Sequence, residues 1–146
     1  MDYNQTFAIS AAGMQLERTR VDVAALNLAN ANTVVGAGGQ GYQPMRVLAR
    51  HLGAGGAPFA SMLGLDGAAP NAAGSVVEVE PADVAPREVY EPGHPLANAR
   101  GMVAYAGVDT AAEMTTVMSA MRSYEANVAA LNAARGMALK TLDIGA

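Results

Sequence analysis

The sequence contains no cysteine and no tryptophan, and only two of its 146 residues are phenylalanine. The lack of cysteine excludes disulfide bonds, thiolate metal sites and cysteine nucleophiles. Charged residues make up only 15% of the chain, and the net charge of −4 argues against nucleic acid as a partner. No basic cluster indicates a membrane surface, and no apolar run is long enough to span a bilayer, so we expect no membrane insertion.

Motifs for catalysis, cofactor binding and targeting are also scarce. The Gly-x-Gly spacing in GAGGQG, at 36–41, follows a predicted helix instead of a strand, which makes it a weak phosphate cradle. The two histidines, His51 and His94, are far apart, and a structural role for His94 in EPGHPLAN is favoured over a ligand role. The start, MDYNQTF, lacks the basic and apolar regions of a cleaved signal peptide. We predict no enzyme activity, no catalytic residue, no metal site and no cofactor.

Proline and glycine divide the chain into three segments. All seven prolines lie between Pro44 and Pro95, whereas the ranges 4–30 and 110–143 contain no proline and one glycine each. This contrast indicates a helix at each end and an irregular or β-rich middle. The predicted segments are an N-terminal helical segment at 1–35, a strand and loop segment at 36–108, and a C-terminal coiled-coil helix at 109–146.

The middle segment gives weaker signals. SVVEVE at 75–80 and REVYEP at 87–92 alternate partly between apolar and polar residues, which predicts two short strands. The range 51–74 is rich in glycine and alanine and nearly uncharged, so we predict a flexible loop there. The predicted fold class is mainly α, with long terminal helices and a small β-containing middle.

The N-terminal helix carries two apolar series, each repeating every seven residues: Ile9, Leu16 and Val23, extended by Leu26; and Phe7, Met14, Val21 and Leu28. The two series lie about 200° apart around the helix. A helix packed on one core needs only one apolar stripe, so two opposite stripes predict neighbours on both sides. The heptad spacing predicts that those neighbours are long helices.

The C-terminal helix repeats the pattern in its heptad positions: Met114, Val117, Met121, Tyr124, Val128, Leu131 and Leu142. Its opposite side carries small residues, which suit either close approach of another helix or a solvated face. Thr110 and Glu113 fit a capping box at its start, with Asp109 as an alternative cap. A bundle completed by the middle segment remains the alternative to burial of both stripes through assembly.

Three stretches resemble the flagellar axial protein family, and within it the proximal-rod proteins. They are NLANANT at 27–33, VYEPGHPLANARG at 89–101 and the helix EMTTVMSAMRSYEANVAALNAARGMALKTL at 113–142. The first stretch is shared by rod and hook subunits, whereas the second points to the proximal rod. The residues that carry the family motif are Asn27, Leu28, Ala29, Asn30, Tyr90, Pro92, Gly93, His94 and Pro95.

The resemblance implies a structural subunit of the bacterial basal body, placed in the rod that crosses the periplasm. Such proteins are exported uncleaved by the flagellar type III export apparatus. Their terminal helices, disordered before assembly, pack into a coiled-coil (D0-like) tube that transmits torque from the motor to the hook. The implied partners are further copies of the chain, other rod proteins (FlgB-, FlgF- and FlgG-like), and the proteins of the rod base and the MS ring.

Two alternatives stay open on function, and two on the asparagines. The chain could be another axial subunit, FlgB-like or distal-rod-like, or a free-standing helical binding module. Asn27 and Asn30 are predicted to hydrogen-bond to the backbone and to neighbouring subunits where the helix ends. Plain C-capping is the other explanation, since asparagine tolerates the left-handed conformation at a helix terminus.

Overall fold

The computed structural model describes residues 3–36, 41–51 and 75–144 of the chain. In this part of the chain, two long helices flank four short strands. The elements are α1 (Tyr3–Ala29), β1 (Met45–His51), β2 (Ser75–Pro81), β3 (Arg87–Tyr90), β4 (Met102–Tyr105) and α2 (Thr110–Ile144). The predicted order of helix, strand-containing middle and helix is confirmed. The predicted flexible loop at 51–74 lies outside the described residues, apart from His51, which ends β1.

The helix α1 has 27 residues and α2 has 35, which corresponds to lengths of roughly 40 and 50 Å. The helix α1 ends where the Asn30 N–H donates to the carbonyls of Leu26 and Asn27. The side-chain amide of Asn30 also donates to the Leu26 carbonyl, at 2.9 Å. Asn30 therefore caps α1 through its amide, and the suggested left-handed conformation is wrong: no described residue other than glycine has a positive φ.

The helix α2 begins with a cap from Asp109. Its carboxylate oxygen Oδ1 accepts hydrogen bonds from the backbone N–H groups of Ala111 and Ala112, at 3.0 and 3.2 Å. The predicted capping box of Thr110 and Glu113 is wrong, because Thr110 is already the first helical residue and the Glu113 side chain bonds to Asn27 instead. The alternative cap, Asp109, is the one the structure uses.

The four strands form two two-stranded sheets, β1 with β2 and β3 with β4. The second pair is antiparallel, with Arg87 opposite Tyr105 and Tyr90 opposite Met102. The predicted strands at 75–80 and 87–92 are confirmed, although β3 already ends at Tyr90. The sequence did not predict β1 and β4, because MRVLARH alternates poorly and the four residues of MVAY are too short to show a period.

The chain divides into two compact units. The first unit comprises Met1–Glu17, Leu48–Glu78 and Arg122–Ala146, and the second comprises Arg18–Val47 and Val79–Met121. In the second unit, Ala31, Ala106 and Val108 form a buried apolar cluster against Tyr42. In the first unit, the buried residues of the helices include Ser10, Glu17 and Ala134. The buried side chains are thus mostly small, whereas many of the large apolar side chains are exposed.

Candidate assembly surface

Asn27, the first motif residue, lies inside the second unit with only 1% of its surface exposed. Its Oδ1 accepts from the Met45 N–H at 2.9 Å and from the Tyr42 hydroxyl at 2.7 Å. Its Nδ2 donates to the Met45 carbonyl at 2.9 Å and to Glu113 Oε1 at 2.8 Å. These four bonds use both donors and both lone pairs of the amide. The Asn27 side chain therefore joins α1, β1 and α2, and it has no donor or acceptor left for a neighbouring subunit.

Tyr42 is held in its protonated form at this joint. Burial raises the pKa of its hydroxyl, and the nearby negative charge of Glu113 raises that pKa further. A protonated hydroxyl is the form that donates to Asn27 Oδ1. Because the Met45 N–H also needs an acceptor, the orientation of the Asn27 amide is determined by two donors on the same side.

The second motif forms a hydrogen-bonded turn between β3 and β4. The Nδ1 atom of His94 accepts from the Leu96 N–H at 3.1 Å, which confirms a structural role for this histidine. Oδ1 of Asn98 accepts from the N–H groups of Arg100 and Met102, at 2.9 and 3.0 Å. The side chains of His94 and Asn98 thus supply hydrogen bonds within the turn, where β3 and β4 are no longer paired.

This turn presents two large side chains to solvent. Tyr90 is 67% exposed and Leu96 is 57% exposed. The motif residues Pro92, Gly93 and Pro95 are exposed as well. Because hydrogen bonds fix the backbone of the turn, these exposed side chains are attached at defined positions.

The helices expose a larger apolar surface. On α2, Met114, Met118 and Met121 are 58%, 56% and 53% exposed, and their spacing places them on one face of the helix. Tyr124, Met137 and Leu139 are exposed further along α2. We refer to Met114, Met118 and Met121 as the methionine face. It lies wholly within the second unit.

The predicted stripe residues divide by exposure. Five are exposed: Ile9, Leu26, Met114, Met121 and Tyr124. Eight are half-buried: Phe7, Met14, Leu16, Val21, Leu28, Val117, Val128 and Leu131. Val23 is buried within the second unit itself, at 8% exposure. The side chain of Leu142 lies outside the described part of the chain.

Sequence patterns missed several residues of this surface. Met118, Met137 and Leu139 lie off the heptad positions, but their apolar character on a long exposed helix was a signal available in the sequence. Tyr42, which bonds to Asn27, and Gly101, which has a positive φ of 73° in the turn before β4, had no such signal. Their roles depend on partners distant in the chain or on a backbone conformation.

The chemistry of the described residues offers little to a small ligand. No group of three or more histidine, aspartate or glutamate residues is placed to hold a metal ion there. The second unit has an open cavity of about 170 Å³. Its lining is Arg20, Val23, Ala24, Met45, Arg46, Val47, Glu113 and Thr116. Neither helix, over its described residues, combines the length and the hydrophobicity needed to cross a bilayer.

Comparisons with known proteins agree on one family. Residues 7–37 match the family described as flagella basal body rod protein, and residues 99–144 match the flagellar basal body rod FlgEFG protein C-terminal family. The flagellar basal-body rod protein FlgC of Escherichia coli O157:H7 is 40% identical over 139 residues, covering 95% of each chain. FlgC of Salmonella typhimurium strain LT2 is 38% identical over 95% of each chain, and FlgC of Bacillus subtilis strain 168 is 38% identical over 94% of each.

Proposed function

Since the chain belongs to the FlgC family of flagellar basal-body rod proteins, we propose that it is a structural subunit of the proximal rod. In this proposal it lies in the periplasm-spanning rod of the bacterial basal body and carries out no catalysis. It assembles with further copies of itself and with other rod proteins, FlgB-, FlgF- and FlgG-like. The rod so formed transmits torque from the motor to the hook.

The methionine face is the observation that carries this proposal. The three methionines lie on one face of α2, and each has more than half of its surface exposed in the single chain. Contiguous apolar surface of this kind marks a protein contact, and methionine packs well on a partner because its thioether side chain is flexible and polarisable. Burial of these side chains against a neighbouring subunit would supply free energy for assembly.

We further propose that the segments 1–35 and 109–146 form a coiled-coil layer in the rod, and that 36–108 lies outside that layer. Support comes from the heptad-spaced exposed residues Met114 and Met121, together with Leu26 on α1. We also propose contact with the rod base and the MS ring, and export by the type III apparatus without a cleaved signal; the similarity to basal-body rod proteins supports these proposals.

The FlgC relatives favour this interpretation over the two alternatives. The Escherichia coli protein matches the chain over 95% of both lengths, so the matched stretch spans the turn motif at 89–101. A companion rod subunit, FlgB-like or distal-rod-like, would share the helices without that motif. A free-standing helical module would have little use for an uncovered methionine face.

The experiment tests the methionine face in cells that lack their own copy of this subunit. Met121→Lys should reduce swimming at least about tenfold, because a buried unpaired ammonium opposes subunit packing. Ser119→Lys, also exposed but away from the methionine face, is the matched control and should swim normally. Isolated basal bodies, probed for the chain, report assembly directly. Equal swimming and equal incorporation of both variants would overturn the proposal.

A further inference from the structure

Gly13 lies in the middle of α1, where glycine is unfavourable. Glycine in a helix interior destabilises it relative to alanine because the unfolded chain has more freedom to lose. The backbone gives no reason for glycine here, since the only positive φ among the described glycines belongs to Gly101. A regular helical geometry with an unfavourable residue points to a packing requirement instead.

The packing requirement is the side chain of Asn127 on α2. A Cβ atom at position 13 would lie 2.8 Å from Nδ2, 3.1 Å from Cγ and 3.2 Å from Oδ1 of Asn127. The whole amide group therefore occupies the space that any other residue would fill. Both residues belong to the first unit. Asparagine is itself a poor helix former, so two residues that each disfavour a helix meet at one point.

Two other buried residues of the first unit discriminate only weakly between alignments of the two helices. Ser10 on α1 and Ala134 on α2 are buried, at 6% and 2% exposure, and both are small. Small side chains pack nearly as well after a slide of one helical turn. Such a slide would place Asn127 against Ser10 or Glu17, whose Cβ atoms would collide with its amide.

We propose that Gly13 and Asn127 are positioning residues that fix the register of α1 against α2 in the first unit. The gap at Gly13 accepts the Asn127 amide in one alignment only. A single polar residue in a helix–helix seam is known to specify register at some cost in stability. The proposal concerns contacts within one chain, so it does not depend on the rod function.

A second glycine provides the matched control. Gly136 lies in α2, and a Cβ atom there would meet nothing within 4 Å. Gly136→Ala is the same replacement of glycine by alanine, at a position where the added methyl group meets no other atom within 4 Å. It should favour the helix without changing the register, whereas Gly13→Ala should displace either the Asn127 amide or the helix.

The absence of cysteine makes the register measurable with introduced disulfides. Ser10→Cys is combined in separate full-length chains with Ala130→Cys or with Ala134→Cys, and the two disulfide yields are compared under mild oxidation. We expect Gly13→Ala to change the ratio of the two yields at least about threefold. Gly136→Ala should leave the ratio unchanged, whereas Asn127→Ala, which removes the amide from the gap at Gly13, should bring the two yields closer together.

Three outcomes would overturn the proposal. An unchanged ratio in Gly13→Ala would show that the Asn127 side chain simply rotates away. An unchanged ratio in Asn127→Ala would show that other contacts fix the register. Failure of both disulfides in the otherwise unaltered chain would show that the helices are not paired in this register.

Discussion

The amide of Asn27 is buried among polar groups that lie far from it in the chain. It bonds to Met45, 18 residues later, and to Glu113, 86 residues later. A buried amide with all of its hydrogen bonds formed stabilises one specific arrangement of its partners, because each alternative leaves a donor or acceptor unpaired. This family-motif residue thus determines where β1 and α2 meet α1 in the second unit.

The first prediction concerns the loss of this amide. Asn27→Ala should lower the free energy of unfolding by about 2–4 kcal/mol, since it leaves the Met45 N–H and carbonyl without partners. Chemical denaturation of the full chain, followed by circular dichroism, measures the change. Asn30→Ala removes two exposed bonds, one to the Leu26 carbonyl and one from the Thr33 hydroxyl, and should cost less than about 1 kcal/mol. Similar losses for both variants would contradict the role assigned to Asn27.

At the scale of elements, the turn between β3 and β4 depends on its backbone conformation at one position. Gly101 has a φ of +73°, in the left-handed region that side chains disfavour. A Cβ atom there would also lie 2.9 Å from Cε2 of Tyr90 and 3.2 Å from Cβ of Pro92. Glycine at position 101 lets the chain reverse its direction without a clash between a Cβ atom and the Tyr90 ring.

Gly101→Ala should therefore destabilise the chain by about 1–3 kcal/mol, from the backbone conformation and the contact with Tyr90 together. Gly93→Ala, in the same turn, is the control: a Cβ atom there meets nothing within 4 Å and its φ is not positive. Thermal unfolding of the two variants measures the difference. A midpoint for Gly101→Ala no lower than that of Gly93→Ala would refute the assignment.

Both helices differ from ordinary amphipathic helices in which residues they bury. Small or polar residues such as Ala24, Ala120 and Ala134 are buried, whereas Met114 and Leu26 are more than half exposed. A helix of a monomeric protein usually turns its largest apolar residues inward. The reversed arrangement leaves the large side chains at the surface, where the proposed assembly would bury them.

At the scale of the whole molecule, the part of the chain that the structure describes has few large buried side chains. Among the described residues, the largest fully buried side chains are those of Val103 and Asn27. Burial of apolar area is the main source of folding stability, so a chain of this size with such small buried groups is marginal by itself. The second unit has the Asn27 joint and the buried Ala31 cluster, and we expect it to be the more stable of the two.

Limited proteolysis of the dilute chain tests this difference. Trypsin should cut after Arg135 and Lys140, in the first unit, at least about tenfold faster than after Arg87 and Arg100, in the second. All four side chains are exposed, so exposure alone does not favour either pair. Cleavage of locally unfolded segments tracks their opening equilibrium. Mass spectrometry assigns the cuts, and equal rates in both units would mean that the helical ends are already stably packed.

The sequence by itself determined the extent of the long helices, because their proline-free, alanine-rich ranges need no distant partner to be recognised. It also determined the two middle strands that alternate, the exclusion of thiol chemistry, and the family. It did not determine which helix face is buried. The apolar heptads of α2 and the small residues on its opposite side both repeat every seven residues, so periodicity alone supports either seam.

Only the tertiary structure decided that the small residues face inward and that Met114, Met118 and Met121 face outward. It likewise decided the partners of Asn27 and the fit of Asn127 over Gly13, since each joins positions far apart in the chain. Local sequence patterns record helix or strand propensity and apolar periodicity, which depend on residues that lie close together in the chain. Contacts across many residues depend on how whole elements come together, and no local pattern records that.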